Sequence, residues 1–149
     1  MKKILMVCLG NICRSPLAKG ILQSKLNSNI AIIDSAGTAA YHTGNLPDIR
    51  SIKVASKNLI DISNQRARKF IIKDFDNFDV IFVMDEENYI NIRSLSRNQS
   101  DLSKVKMILN EINPNLNESV PDPYYGGDQG FENVFKILDE ACTIIAQKL

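Results

Sequence analysis

Apolar and polar positions along this 149-residue chain follow two rhythms. One is the short unbroken apolar run: Ile4-Leu5-Met6-Val7, Ile30-Ala31-Ile32-Ile33 and Val80-Ile81-Phe82-Val83-Met84. Runs of that length, rich in β-branched residues, suit strands buried on both faces of a sheet. They predict strands over about 3–8, 30–34 and 79–84. Lys104-Val105-Lys106-Met107-Ile108-Leu109 alternates instead, as an edge strand with its Lys exposed would. The other rhythm is helical. Leu17, Ile21, Leu22 and Leu26 share one face of a helix over about 15–27, with Ser15 as N-cap and Pro16 in the first turn. Asp48 caps a second helix to about Asn58, and Asp85-Glu86-Glu87 opens a third that runs to about Leu95. Phe131, Val134, Phe135, Leu138, Cys142 and Ile145 mark an amphipathic helix over 131–149. Residues 36–47 and 110–121 read as loops, and 59–78 as mixed.

Strands alternating with helical segments predict an α/β fold: one domain over 1–149, a four-stranded parallel sheet with helices on both faces. Ligands of such sheets bind beyond the C-terminal strand ends. That brings the loop after Val7, the segment after Ser35 and the segment after Met84 to one edge.

Composition narrows the classes. Eighteen basic and seventeen acidic residues leave a net charge of +1, so no global field recruits nucleic acid or anionic membrane. No apolar run has the length of a signal core or a membrane span, so no membrane insertion is expected. Three Cys, an odd number without a secretory signal, point to a reducing, cytoplasmic compartment, with secretion as an effector left open.

The chemistry concentrates in Cys8-Leu9-Gly10-Asn11-Ile12-Cys13-Arg14-Ser15-Pro16, a turn between the first strand and first helix. Gly10 and Asn11 are the residue types that best tolerate positive φ. Backbone N–H groups in such a loop can converge on one anion, aided by the helix dipole. Cys8 at the entrance and Arg14 at the exit would face that anion together. The field favours a thiolate at Cys8, and the guanidinium fork of Arg14 matches two phosphate oxygens.

This C-x5-R nonapeptide resembles the phosphate-binding loop of the low-molecular-weight protein tyrosine phosphatases, and the resemblance extends over essentially the whole chain. It implies hydrolysis of protein phosphotyrosine and small aryl phosphates through a cysteinyl-phosphate, without metal or cofactor. Leu9, Gly10, Asn11, Ile12, Cys13 and Ser15 would bind the phosphate, with Asn11, Ser15 and Ser35 supporting the loop and Ser15 hydrogen-bonded to the Cys8 sulfur. The family commonly has a His where Gln65 stands, which leaves the rigidity of the loop open; Gln65 can still donate and accept.

The leaving oxygen needs a proton, from a carboxylate whose pKa apolar surroundings raise. The residues alone leave Asp122-Pro123 equally readable as a turn. The resemblance of Asp122-Pro123-Tyr124-Tyr125 to the family's acid segment makes Asp122 the general acid and then the base. Tyr41, Tyr124 and Tyr125 would form an aromatic rim. His42, the one histidine, reads as a solvated loop residue, Asp85 as a helix cap or more, and Arg66 and Arg68 as a solvated or salt-bridging patch. A further expectation is redox control, with Cys13 capturing oxidised Cys8 as a disulfide.

Arsenate reduction on the same fold would need further thiols after the third strand, and residues 80–95 hold none; Cys142 reads as inert core. A non-catalytic phosphate-binding module would be expected to lose Cys8 or Asp122, and both are present. The expected partners are phosphotyrosine proteins, and the expected state is a monomer or weak homo-oligomer.

Overall fold

A computed structural model of the chain describes residues 1–149, the side chain of Tyr125 excepted. Strands β1 (Lys2–Cys8), β2 (Ala31–Gly37), β3 (Val80–Val83) and β4 (Val105–Met107) form one parallel sheet in the order β2-β1-β3-β4. The alternation of β1 divides the core. Ile4, Met6 and Cys8 face one side, joined by Phe82 of β3 and by helices α1 (Arg14–Lys25), α2 (Ile49–Lys57) and α6 (Gly127–Gln147). Leu5 and Val7 face the other, joined by Ile81, Val83, Phe75 of α3 (Asp74–Asn77) and Ile92 of α4 (Glu86–Ser94). Burial on both faces accounts for the continuous apolar runs of the central strands β1 and β3, whereas β2, expected to be buried in the same way, is an edge strand that leaves Ile32 exposed. β4 ends the sheet beside the short helix α5 (Gln99–Lys104).

Chain order reverses at β1, which has β2 on one side and β3 on the other. A crevice at such a switch point is where an α/β sheet takes its ligand. The loop leaving β1 opens there.

Several boundaries depart from the pattern. β2 runs to Gly37, where the sequence predicts a loop from residue 36. Gly37 is paired on both sides: with Cys8 of β1, and through Arg68 O (2.8 Å from its N–H) and Phe70 N (2.7 Å from its carbonyl). Small residues gave no sign of that second partner. Ser15 is not the N-cap of α1: Cys13 holds that position and the helix begins at Arg14, because the Ser15 hydroxyl is used elsewhere. β4 stops at Met107 and tightens into a 3-10 turn over Ile108–Glu111. α6 begins at Gly127, whose first turn is too polar to carry a helical period. α3 and α5 are too short for periodicity to mark.

Candidate active site

The loop after β1 takes its shape from neighbours that occupy its carbonyls. Thr38 N donates to Cys8 O (2.9 Å), Ala39 N to Leu9 O (3.0 Å), Asp48 N to Ile12 O (2.8 Å) and the Ser51 hydroxyl to Cys13 O (3.3 Å). A trans peptide directs its N–H opposite to its C=O, and none of these bonds is cis. The N–H groups of Leu9, Gly10, Cys13 and Arg14 therefore point away from those partners, and all four residues line the cavity beside the loop. Asn11 makes the turn with φ 59°; Gly10 does not have positive φ. Glycine at 10 serves close approach instead, since a Cβ there would lie 2.9 Å from His42 Cδ2. Gly37 lies beneath the loop, where a Cβ would come within 2.7 Å of Leu9 O.

Under the loop runs a buried polar network. Asn11 Nδ2 donates to both the Ser15 hydroxyl (2.8 Å) and the Ser35 hydroxyl (2.9 Å), and Asn11 Oδ1 accepts from Arg68 N (3.0 Å). With an acceptor site on each hydroxyl filled, their own O–H groups are free to turn elsewhere: Ser15 lies 3.0 Å from Cys8 Sγ and 3.5 Å from Ala36 O, and Ser35 donates to Gln65 Oε1 at 3.4 Å. Gln65 Nε2 donates to Pro16 O (3.0 Å), so this amide both donates and accepts. Gln65 thus links the Ser35 hydroxyl to the first turn of α1. Arg68 does more than line a patch: it bridges Asp34 and the buried Asp74, which anchors the segment that delivers Gln65 and Arg68 N to the loop. Arg66, by contrast, donates among the described residues to the carbonyls of Ser63 and Gln65.

Arg14 is buried. Its Nη1 donates to Asp85 Oδ2 (2.7 Å) and Val120 O (3.0 Å), and its Nη2 lies 3.9 Å from Asp122 Oδ2. Burial pulls the guanidinium pKa down, but the charge of Cys8 and the bond and charge of Asp85, with Asp122 behind them, outweigh it and hold it above its ordinary value. Asp85 is a cap as well: its Oδ1 accepts from Asn88 N at 2.7 Å. One carboxylate thus starts α4 and aims Arg14, and the sequence reveals only the first task.

Asp122 lines the cavity over the loop, with its side chain 40% exposed. It caps the 3-10 turn Pro123–Tyr125, with Oδ1 accepting from Tyr124 N at 3.0 Å. The cavity, about 260 Å³, is lined by the loop with Tyr41, His42, Asp122 and Tyr124. Tyr41 is exposed at its rim and Tyr124 half exposed. Tyr125, the third aromatic expected there, lies outside the described residues. His42 is half-buried over Gly10 and joins the wall, which a lone loop histidine gave no reason to expect.

All three cysteines are unbridged and buried. Burial, reinforced by the charges of Asp48, Cys8 and Asp122 against Arg50, pushes the Cys13 thiol up to about 12. Burial does the same for Cys142, to about 12, inside α6. Among the described residues no helix is long and apolar enough to cross a membrane.

The family profile described as low molecular weight phosphotyrosine protein phosphatase matches residues 3–149. The low molecular weight phosphotyrosine protein phosphatase of Schizosaccharomyces pombe is 41% identical, over 89% of this chain and 87% of its own. The human protein of the same name is 38% identical over 99% and 95%. Among solved structures, a protein tyrosine phosphatase from Entamoeba histolytica with Hepes in its active site superposes with TM-score 0.92 at 36% identity, covering 99% of this chain and 96% of that one. Vibrio vulnificus Wzb in complex with benzylphosphonate gives 0.89 at 29%, covering 99% of both.

Proposed function

The chain belongs to the low molecular weight phosphotyrosine protein phosphatase family and is a protein-tyrosine-phosphatase, and from that premise we propose a two-step hydrolysis divided between the loop and Asp122. In the first step the Cys8 thiolate attacks phosphorus. The S–P bond forms as the bond to the phenolic oxygen breaks, and Asp122 passes its proton to that oxygen. In the second step water attacks the cysteinyl-phosphate, Asp122 takes a proton from the water, and the S–P bond breaks to return the thiolate and inorganic phosphate.

The observation that carries the reading is that Cys8, Arg14 and Asp122 line one cavity, whose wall includes four loop residues with their amides turned away from the neighbours that hold the preceding carbonyls. Preorganised donors of this kind act on the charge that develops on the equatorial oxygens. Asp85 and Val120 hold Nη1 of Arg14, which leaves the Nε–Nη2 edge for two phosphate oxygens. The Ser15 hydroxyl, turned toward Sγ by Asn11, stabilises the sulfur as a leaving group. A cavity of about 260 Å³ suits an aryl phosphate rather than a whole peptide, and Tyr41 and Tyr124 offer ring contacts to the aromatic group. The benzylphosphonate bound by the Vibrio vulnificus relative is a ligand of that shape. Arsenate reduction is the weaker reading, because α4 carries no Cys and Cys142 is buried in α6.

The substrates are phosphotyrosine proteins, met in a reducing compartment such as the cytoplasm by a monomer or weak homo-oligomer that binds neither nucleic acid nor membrane. Peroxide takes Cys8 to the sulfenic acid; the Cys13 thiol displaces hydroxide from it, giving a disulfide and water. The test of the main reading is turnover of p-nitrophenyl phosphate and a phosphotyrosyl peptide by wild type, Cys8→Ser and Asp122→Asn. Activity retained in Cys8→Ser contradicts it. Peroxide treatment followed by dithiothreitol tests the redox reading: activity should return in wild type and less so in Cys13→Ser.

A further inference from the structure

Asp122 is exposed and reaches Arg14 only at 3.9 Å, yet a proton donor must be placed to within a fraction of an ångström. Something else must hold it. Its own bond is to Tyr124 N (3.0 Å), and the carbonyl of the same Tyr124 accepts from Arg50 Nη1 at 3.1 Å. The Tyr124 backbone is therefore gripped from both ends, by Asp122 and by Arg50. The guanidinium is itself fixed: Nε and Nη2 fork onto Asp48 at 3.1 and 3.0 Å, with the ring of Phe131 4.5 Å away and that of Tyr124 at 5.3 Å. Asp48 and Ser51 bond the loop carbonyls of Ile12 and Cys13.

We propose that Arg50 is a positioning residue for the reaction: it locks the Asp122 turn to the first turn of α2, and so to the phosphate loop, setting the distance from proton donor to leaving oxygen. The proposal rests on Asp122 as that donor. Arg50 touches neither phosphate nor the Cys8 sulfur; it acts through the Tyr124 carbonyl. Its planar fork matters more than its charge, because a Lys ammonium cannot bracket Asp48 and reach the Tyr124 carbonyl together.

The readout is leaving-group dependence, which a merely structural role would not move. Arg50→Ala should lower kcat/KM, which reports the Cys8 step alone, by about 10- to 100-fold for phenyl phosphate. For dinitrophenyl phosphate, whose phenol leaves without help, the loss in the first step should be small. Arg50→Lys should resemble Arg50→Ala, and the vanadate inhibition constant should be unchanged in both. In an Asp122→Asn background, Arg50→Ala should cost nothing further on phenyl phosphate. An equal loss for both leaving groups, an added loss in that background, or weakened vanadate binding overturns the proposal while leaving Asp122 as donor. If Asp122→Asn alone shows no leaving-group dependence, the donor assignment fails instead, and the proposal with it. Arg50→Lys, conservative in size and charge at a part-exposed site, keeps the test open should Arg50→Ala fold poorly.

Discussion

The two halves of this site are built by opposite means. The phosphate loop is over-determined: four of its carbonyls are tied down, and Asn11, Ser15, Ser35 and Gln65 beneath it are buried and mutually bonded. In the acid segment Asp122 and Tyr124 are exposed beside a buried Pro123, and the contacts there include Tyr124 N to Asp122 and Arg50 to the Tyr124 carbonyl. The difference suits the chemistry proposed for the site. An anion must be met by donors that do not reorganise, since reorganisation would cost much of their electrostatic benefit. A proton donor and acceptor must also admit water and release phenol, which requires a place at the mouth.

If the halves are separable, they should fail separately. The largest effect should come from the loop's reactive pair. Cys8→Ser should lose turnover on the order of 10⁵-fold, judged from nucleophile removal elsewhere, while steady-state inhibition by phosphate survives because the amide cradle remains. Arg14→Lys should lose about 10²–10³-fold and bind phosphate more weakly, since a point charge cannot replace the fork.

Asp122→Asn comes next. It should cost roughly 10²–10⁴-fold in kcat/KM with phenyl phosphate, cost less with more acidic phenols, and leave vanadate inhibition intact. A vanadate constant that moved with it would join the two halves into one unit and break the comparison.

Asn11→Ala should do the opposite, weakening phosphate binding and turnover together for every leaving group. It strands the Arg68 N–H, an orphaned group costing about 1–3 kcal/mol, and removes the donor that orients both hydroxyls. Urea melts alongside phosphate inhibition constants check both parts. Gln65→Leu should give a milder version, because it strands only the Ser35 hydroxyl contact and the Pro16 carbonyl bond.

The smallest effect concerns the buried thiols. Folded Cys13 and Cys142 keep their protons up to about 12, against 9.0 for an unshifted thiol. Where the folded pKa is raised, the stability is fully present below pH 9 and is lost as pH rises from there toward 12, because the unfolded chain releases its protons first. Cys142→Ala should show a shallower fall in urea midpoint over that window than wild type. At neutral pH both thiols stay protonated, so iodoacetamide should label Cys8 ahead of either.

The same contrast governs how much could be read from the residues. The sheet was legible because β1 and β3 are buried on both faces, and a short unbroken apolar run between turn residues fits little besides a strand covered on both sides. Cys8 and Arg14 were legible because the loop concentrates its chemistry in one contiguous stretch. Asp122 emerged only through the resemblance of its tetrapeptide, since Asp-Pro is also an ordinary turn. What stayed hidden depends on contacts across long separations. Asp85 meets Arg14 across 71 positions, and Arg50 meets Tyr124 across 74. A capping aspartate or a surface arginine looks the same in sequence whether or not a partner lies opposite. The C-terminal half of β2 was missed for a related reason: its pairing partner at Lys69 lies in a segment with no strand pattern of its own.

The most direct test of the division of labour is a rapid acid quench of Asp122→Asn with dinitrophenyl phosphate carrying labelled phosphorus. With that leaving group the Cys8 step needs no proton donor, whereas breakdown of the cysteinyl-phosphate still needs a base for water. The account predicts a burst of phenolate, label accumulating on the peptide that contains Cys8, and slow decay of that label. Release of phosphate in step with phenolate, with no label held on Cys8, would contradict it.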